Sequence, residues 1–100
     1  MIKHIVMWKL KETAHGNSAS ENARLIKDKL EELPGKIPVL KQLEVGIDFS
    51  KSENSADVAL YTAFATKEDL ITYQAHPDHK AVVPFIVEAS SERRVVDYEG

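Results

Sequence analysis

Apolar residues follow two different periods along this chain, and the order of the periods limits the folds open to it. A step of three or four residues, typical of a helix with one buried stripe, joins Ala23, Ile26, Leu30 and Leu33. A period of two residues, typical of a strand that buries one face, follows twice. Leu43, Val45, Ile47 and Phe49 alternate with Glu44, Gly46 and Asp48, and Val58, Leu60, Thr62 and Phe64 alternate with Ala59, Tyr61 and Ala63. The pattern predicts a helix followed by two strands, the first of them from about Val39 to Phe49.

The two ends of the chain are predicted strands as well. The segment Ile2–Leu10 is rich in β-branched and aromatic residues, and its apolar centre does not alternate cleanly, which indicates a strand covered on both faces. Val95 and Val96 supply a last strand that returns to the sheet.

Capping residues and prolines mark the helix boundaries. Ser18 stands three residues before a glutamate, the spacing of a capping box, and Thr66 stands three residues before an aspartate. The pair His76-Pro77 separates two helices, because the residue before a proline is pushed out of the helical region. Pro84 is expected to kink or end the last helix.

The elements therefore occur in the order strand, helix, strand, strand, helices, strand. This is the βαββαβ arrangement of a ferredoxin-like antiparallel sheet with its helices on one face, an α+β fold. One hundred residues form a single domain, 1–100, and leave no second layer for the other face of the sheet. We predict a homodimer in which another copy covers that face.

Composition excludes several classes of function. The 13 basic residues are scattered and are outnumbered by 16 acidic ones, so nucleic acid is not an expected partner. Without cysteine the chain can form no disulfide, thiolate metal site or iron–sulfur cluster. No run of about 20 apolar residues and no signal-peptide pattern occurs, so we expect no membrane partner and a cytoplasmic location.

Three stretches together resemble the stress-responsive A/B barrel (Dabb) family. They are the opening strand that starts Lys3-His4, the turn from Tyr73 through His76-Pro77 to His79, and the ending Val95-Val96-Asp97-Tyr98. The resemblance implies a dimeric α/β barrel, in which two four-stranded sheets face each other and helices lie outside. Some members of the family hold a hard cation on main-chain carbonyls after the first helix, at about Ile37 to Leu40 here.

The family includes plant stress proteins and the polyketide cyclase olivetolic acid cyclase. By resemblance to the cyclase, His79 and Tyr73 take the positions of its acid–base residues. His4 matches a histidine of its pocket, and His76 matches the first histidine of the turn. The segment from Arg24 to Lys29 carries no tyrosine, so the part of the cyclase pocket that holds the substrate tail is not reproduced. Formation of olivetolic acid itself is therefore not expected.

His79 is the strongest candidate for catalysis, because an imidazole both accepts and donates a proton near neutral pH. With Tyr73 it could deprotonate a carbon acid and hold the enolate; the alternative is that His79 bonds a buried carbonyl and Tyr73 packs in the core. His4 and Trp8 either line a substrate pocket or belong to the core, and His76 either contacts substrate or braces the turn before the last helix.

The remaining polar and aromatic residues carry weaker expectations. Phe64, Phe85 and Ile86 are read as core with some exposure to a pocket. Arg93, Arg94, Asp97 and Tyr98 are assigned to the sheet edge and to dimer contacts. His76, Asp78 and His79 only superficially form a metal motif, because Pro77 interrupts the helix on which they would meet, so no metal and no cofactor are predicted.

Two functions remain open from the sequence. The first is a cofactor-independent cyclase, isomerase or lyase that acts on a small polyketide-like or aromatic-precursor substrate, with His79 as acid–base. The second is a non-catalytic dimeric module that binds a small apolar or aromatic ligand or serves in stress response.

Overall fold

The computed structural model describes all residues from 1 to 100. Four long strands, three helices and one short hairpin make up the domain: β1 (Ile2–Leu10), the hairpin strands β2 (Thr13–Ala14) and β3 (Asn17–Ser18), α1 (Ala19–Glu31), β4 (Gln42–Ile47), β5 (Val58–Phe64), α2 (Lys67–Ala75), α3 (Pro77–Ala89) and β6 (Ser90–Glu99). The predicted order of elements and the ferredoxin-like α+β fold are confirmed.

The four long strands form one antiparallel sheet in the order β4-β5-β1-β6. The strand β1 lies between β5 and β6, so the first and last segments of the chain are neighbours. Alternate residues of β1 from Ile2 to Leu10 are buried, and their face, called here the inner face, is the one on which the helices pack. His4 and Trp8 are two of these inner-face residues.

The helices begin where the capping signals place them. Ser18 and Glu21 form the reciprocal capping box of α1, and the Thr66 side chain accepts a hydrogen bond from Asp69 N–H at the start of α2. A single residue, His76, ends α2 and begins α3. The helix α1 buries Ala23, Ile26 and Leu30 of its predicted apolar stripe.

Two local expectations differ from the structure. Pro84 does not end α3, which continues to Ala89; burial of Ile86 and Ala89 in the core offsets the roughly 3 kcal/mol that an internal proline costs a helix. The strand β4 is shorter than the predicted 39–49 segment. The hairpin of β2 and β3 is held by the buried Asn22, whose side-chain amide donates a hydrogen bond to the Ala14 carbonyl.

The opposite face of the sheet, called here the open face, has no cover from the chain itself. Ile5 lies there beside Tyr61 on one side and Val96 on the other. Met7, Val96 and Tyr98 are 43%, 50% and 44% exposed. The first strand is therefore covered by its own chain on one face only. No helix of the domain is both long and apolar enough to cross a membrane.

Candidate functional site

A cavity of about 290 Å³ lies between the inner face of the sheet and α3. Its wall is mostly aliphatic, with a few polar groups. The lining residues are His4, Val6, Trp8, Leu30, Leu60, Gln74, His79, Val82, Val83, Ile86, Val87 and Arg93. An apolar cavity with few converging polar side chains is the usual form of a small-molecule site.

His79 lies at the start of α3 and contributes one polar wall of the cavity. Its Nδ1–H donates a hydrogen bond of 3.2 Å to the Gln74 carbonyl oxygen, which fixes the orientation of the ring. Burial lowers the pKa of His79 below its ordinary value of 6.5; the bond to Gln74 opposes this shift, and the charges of His4 and Arg93 add to it. The ring is therefore neutral at pH 7, and its Nε2 is left as a proton acceptor.

His4 contributes a second polar wall from the centre of the sheet. Its ring is almost fully buried, and Nδ1 donates a hydrogen bond to the Asp97 carboxylate on the neighbouring strand. The pairing of β1 with β6 places these two residues directly opposite each other. Asp97 orients the ring and holds the proton on Nδ1, as a carboxylate does for a catalytic or metal-binding histidine.

Tyr73 is completely buried behind the cavity and does not belong to its wall. Its ring lies 5.0 Å from the Phe64 ring and 4.5 Å from the His79 ring, centroid to centroid. No protein atom forms a hydrogen bond with its hydroxyl. Burial raises the pKa of Tyr73 to about 12, so the phenol stays protonated at neutral pH and does not act as a base.

His76 lies outside the cavity and caps α3. Its Nδ1 accepts a hydrogen bond of 3.1 Å from Asp78 N–H, which satisfies one of the free donors at the start of the helix. The structure thus brings His4, Trp8 and His79 to one cavity, and places Tyr73 behind it and His76 beside it. Phe64 is core, whereas Phe85 stacks on His15 at 4.1 Å.

Two polar residues of the site, Arg93 and Asp97, lie on the edge strand β6, for which the sequence predicts sheet-edge and dimer contacts rather than catalysis. Asp97 is the partner of His4, and Arg93 lines the cavity. Both lie on the inner face of β6, opposite His4 and Trp8 respectively. Arg93 and Asp97 each lie two residues from Val95, and residues two apart in a strand point to the same face. This spacing is the sequence signal for their common orientation.

The structure contains no group of three histidine, aspartate or glutamate side chains close enough to share a metal ion. The family resemblance implies a cation on main-chain carbonyls at about Ile37 to Leu40. In this segment the Ile37 carbonyl accepts a hydrogen bond of 3.1 Å from Leu40 N–H.

The fold is shared with several solved structures. A dimeric ferredoxin-like protein of unknown function from Bacteroides fragilis is 33% identical, with a TM-score of 0.88 over 99% of this chain and 95% of that one. A Dabb family protein from Mesorhizobium loti is 22% identical, with a TM-score of 0.78 over 99% and 95%. Hydroxynitrile lyase from Passiflora edulis is 17% identical, with a TM-score of 0.80 over 97% and 90%.

Similarity to the last two structures extends to the fold alone, because their identity to this chain is low. No curated protein matches the chain in sequence. The sequence profile of the stress responsive A/B barrel domain, Dabb, matches residues 2–100. With this match over nearly the whole chain, in agreement with the fold, the protein belongs to the stress-responsive A/B barrel (Dabb) family.

Proposed function

We propose that the protein is an enzyme without cofactor, of cyclase, isomerase or lyase type, that moves a proton on a small polyketide-like or aromatic-precursor substrate. The observation that carries the proposal is the state of His79. A neutral imidazole lines an apolar cavity, its Nδ1 proton is engaged by the Gln74 carbonyl, and its Nε2 makes no hydrogen bond to the protein. This is the arrangement of a general base near neutral pH.

The first step of such a reaction is removal of a proton from carbon. The C–H bond next to a substrate carbonyl breaks, the proton goes to His79 Nε2, and the electron pair moves into the carbonyl to form an enolate. His4, held by Asp97, and the cation of Arg93 lie on the same cavity wall and can stabilise that negative charge. His79 then returns the proton to carbon or to a leaving group.

A non-catalytic ligand-binding module is the second candidate, and the position of Tyr73 favours it. The hydroxyl is enclosed behind the cavity wall, so it does not complete an acid–base pair with His79 at the cavity surface. Under this alternative the same apolar cavity holds a small ligand without changing it.

Proton exchange separates the two candidates. The protein is purified without added ligand, the compound that copurifies is identified by mass spectrometry, and the compound is returned to the protein in D2O. We expect deuterium to appear at the carbon next to a carbonyl with wild-type protein and with the control His15→Ala, since His15 lies outside the cavity, but not with His79→Ala. Binding without any exchange in the wild type would favour the module.

We further propose that two copies associate through the open face. Met7, Val96 and Tyr98 are exposed there, and Phe49, 92% exposed, lines a depression together with Met7. Exposed apolar side chains grouped on one sheet face are typical of an association surface. The related ferredoxin-like protein from Bacteroides fragilis is dimeric, which supports the proposal. A cytoplasmic location stays a prediction from the sequence.

The open-face proposal is tested by the mass in solution. Light scattering at micromolar concentration should give twice the 11.2 kDa of one chain. Val96→Asp should lower the mass to that of one chain, because it places a carboxylate at the centre of the buried face. Ile71→Asp is the control, since Ile71 is 64% exposed on α2. A wild-type mass of one chain would refute the association.

A further inference from the structure

Arg93 is the one permanently charged residue among the twelve that line the cavity. No carboxylate lies within 4 Å of its guanidinium, since the ion pairs of the domain involve His4, Lys27 and His76. Its guanidinium also donates no hydrogen bond to another protein atom. The cavity therefore has a positive charge that the protein itself does not pair.

The position of Arg93 follows from the register of the last two strands of the sheet. Arg93 lies opposite Trp8 on the inner face of β6, whereas Arg94 lies opposite Met7 on the open face. Asp97 shares the inner face, and its carboxylate is occupied by His4. Arg93 is therefore the cavity-lining charge that has no carboxylate partner in the protein.

Arg93 is exposed to solvent, so water screens its charge and its preference for a ligand depends mainly on hydrogen-bond geometry. Guanidinium also matches a carboxylate geometrically through two parallel hydrogen bonds. The aliphatic part of the wall, supplied by residues such as Leu60 and Ile86, in turn favours a hydrocarbon body.

We propose that the cavity binds a small monocarboxylate with an apolar body, and that Arg93 is the residue that selects the carboxylate. A cavity of about 150 Å³ binds benzene, so the volume of about 290 Å³ suits a ligand of roughly twice that size. The inference rests on the proposed use of this cavity as the substrate site and names the class of substrate: a carboxylate fixed at Arg93 with its reacting carbon toward His79.

Trp8 provides a direct reporter of binding, because it is the single tryptophan of the chain and lines the cavity. The probes are 3-phenylpropanoate and 3-phenylpropanamide, which have the same size and differ in charge. Their dissociation constants are measured from Trp8 fluorescence with the wild type, with Arg93→Gln and with Arg24→Gln. Arg24 is exposed on α1 and does not line the cavity, so the control removes the same charge elsewhere.

The wild type and Arg24→Gln should bind the carboxylate about threefold more tightly than the amide, a ratio within the range of a solvent-exposed ion pair. Arg93→Gln should bind both probes equally. Equal binding of the two probes by the wild type, no binding of either, or the same loss in Arg24→Gln would overturn the inference. If the Arg93 effect is found but His79→Ala leaves proton exchange intact, the inference stands and the proposed role of His79 fails.

Discussion

Replacement of Tyr73 by phenylalanine is expected to stabilise the protein. The hydroxyl of Tyr73 is buried and has no hydrogen-bond partner in the protein, and a buried unpaired polar group costs about 1–3 kcal/mol. Phenylalanine keeps the ring contacts with Phe64 and His79 and removes only the oxygen. We therefore expect the free energy of unfolding to rise by about 1 kcal/mol, after allowance for the small void that the oxygen leaves.

For a domain of this size, a gain of about 1 kcal/mol raises Tm by roughly 4–8 °C. The change is measured by urea and thermal unfolding followed by circular dichroism, at one protein concentration, because association contributes to stability. Tyr61→Phe is the control, since the Tyr61 hydroxyl donates to Gln42 Oε1 at 3.1 Å. The control should lose stability, by up to about 1 kcal/mol.

A loss of 1 kcal/mol or more in Tyr73→Phe, equal to or larger than that of the control, would refute the reasoning, because it would mean that the hydroxyl has a partner in the native state. If Tyr73→Phe gains stability and also loses proton exchange or ligand affinity, the unpaired hydroxyl is retained for function at a cost in stability.

Three further predictions concern the histidines and metal dependence. The pKa of His79 in the folded protein lies below 6.5, so below that pH the unfolded chain takes up a proton that the native state does not. The free energy of unfolding should therefore fall as the pH drops below 6.5. Urea titrations at several pH values should show a weaker fall in His79→Gln. His76→Ala should lower the free energy of unfolding by about 1 kcal/mol through loss of the α3 cap, with ligand binding in the cavity unchanged. His79→Ala should lose less stability and most of the ligand affinity. Fluorescence titrations and thermal melts of both variants test this, and the opposite pattern would reverse the two roles. Addition of EDTA should leave Tm unchanged, and a large drop in a thermal melt would reveal a metal site.

The parts of the fold that depend on local sequence were predictable. The capping box at Ser18, the break at His76 and the alternation of β5 are each specified by neighbouring residues, so the structure agrees with them. Pro84 shows the limit of local rules, because tertiary packing keeps α3 intact around it. Helix propensity describes the conformation that a segment prefers in isolation, and packing in the core can override that preference.

The candidate site was only partly predictable for the same reason. His4 and Trp8 could be placed on one face of β1 from their spacing, and both lie on the cavity wall. Arg93 and Asp97 could not be assigned to the site, because their roles depend on the register between the two ends of the chain. Enclosure of Tyr73 behind the cavity depends on how α2 and the sheet pack, which no spacing within α2 specifies.

The protonation state of His79 is the most direct test of the account, and it requires no ligand. Nitrogen-15 NMR of the four histidines, with His79→Gln to assign the signal, gives both the pKa and the tautomer of the ring. We expect a neutral ring at pH 7, with the proton on Nδ1, no proton on Nε2 and a pKa below 6.5. A ring that is cationic at pH 7, or that carries its proton on Nε2, would contradict the proposal that His79 is the base of this cavity.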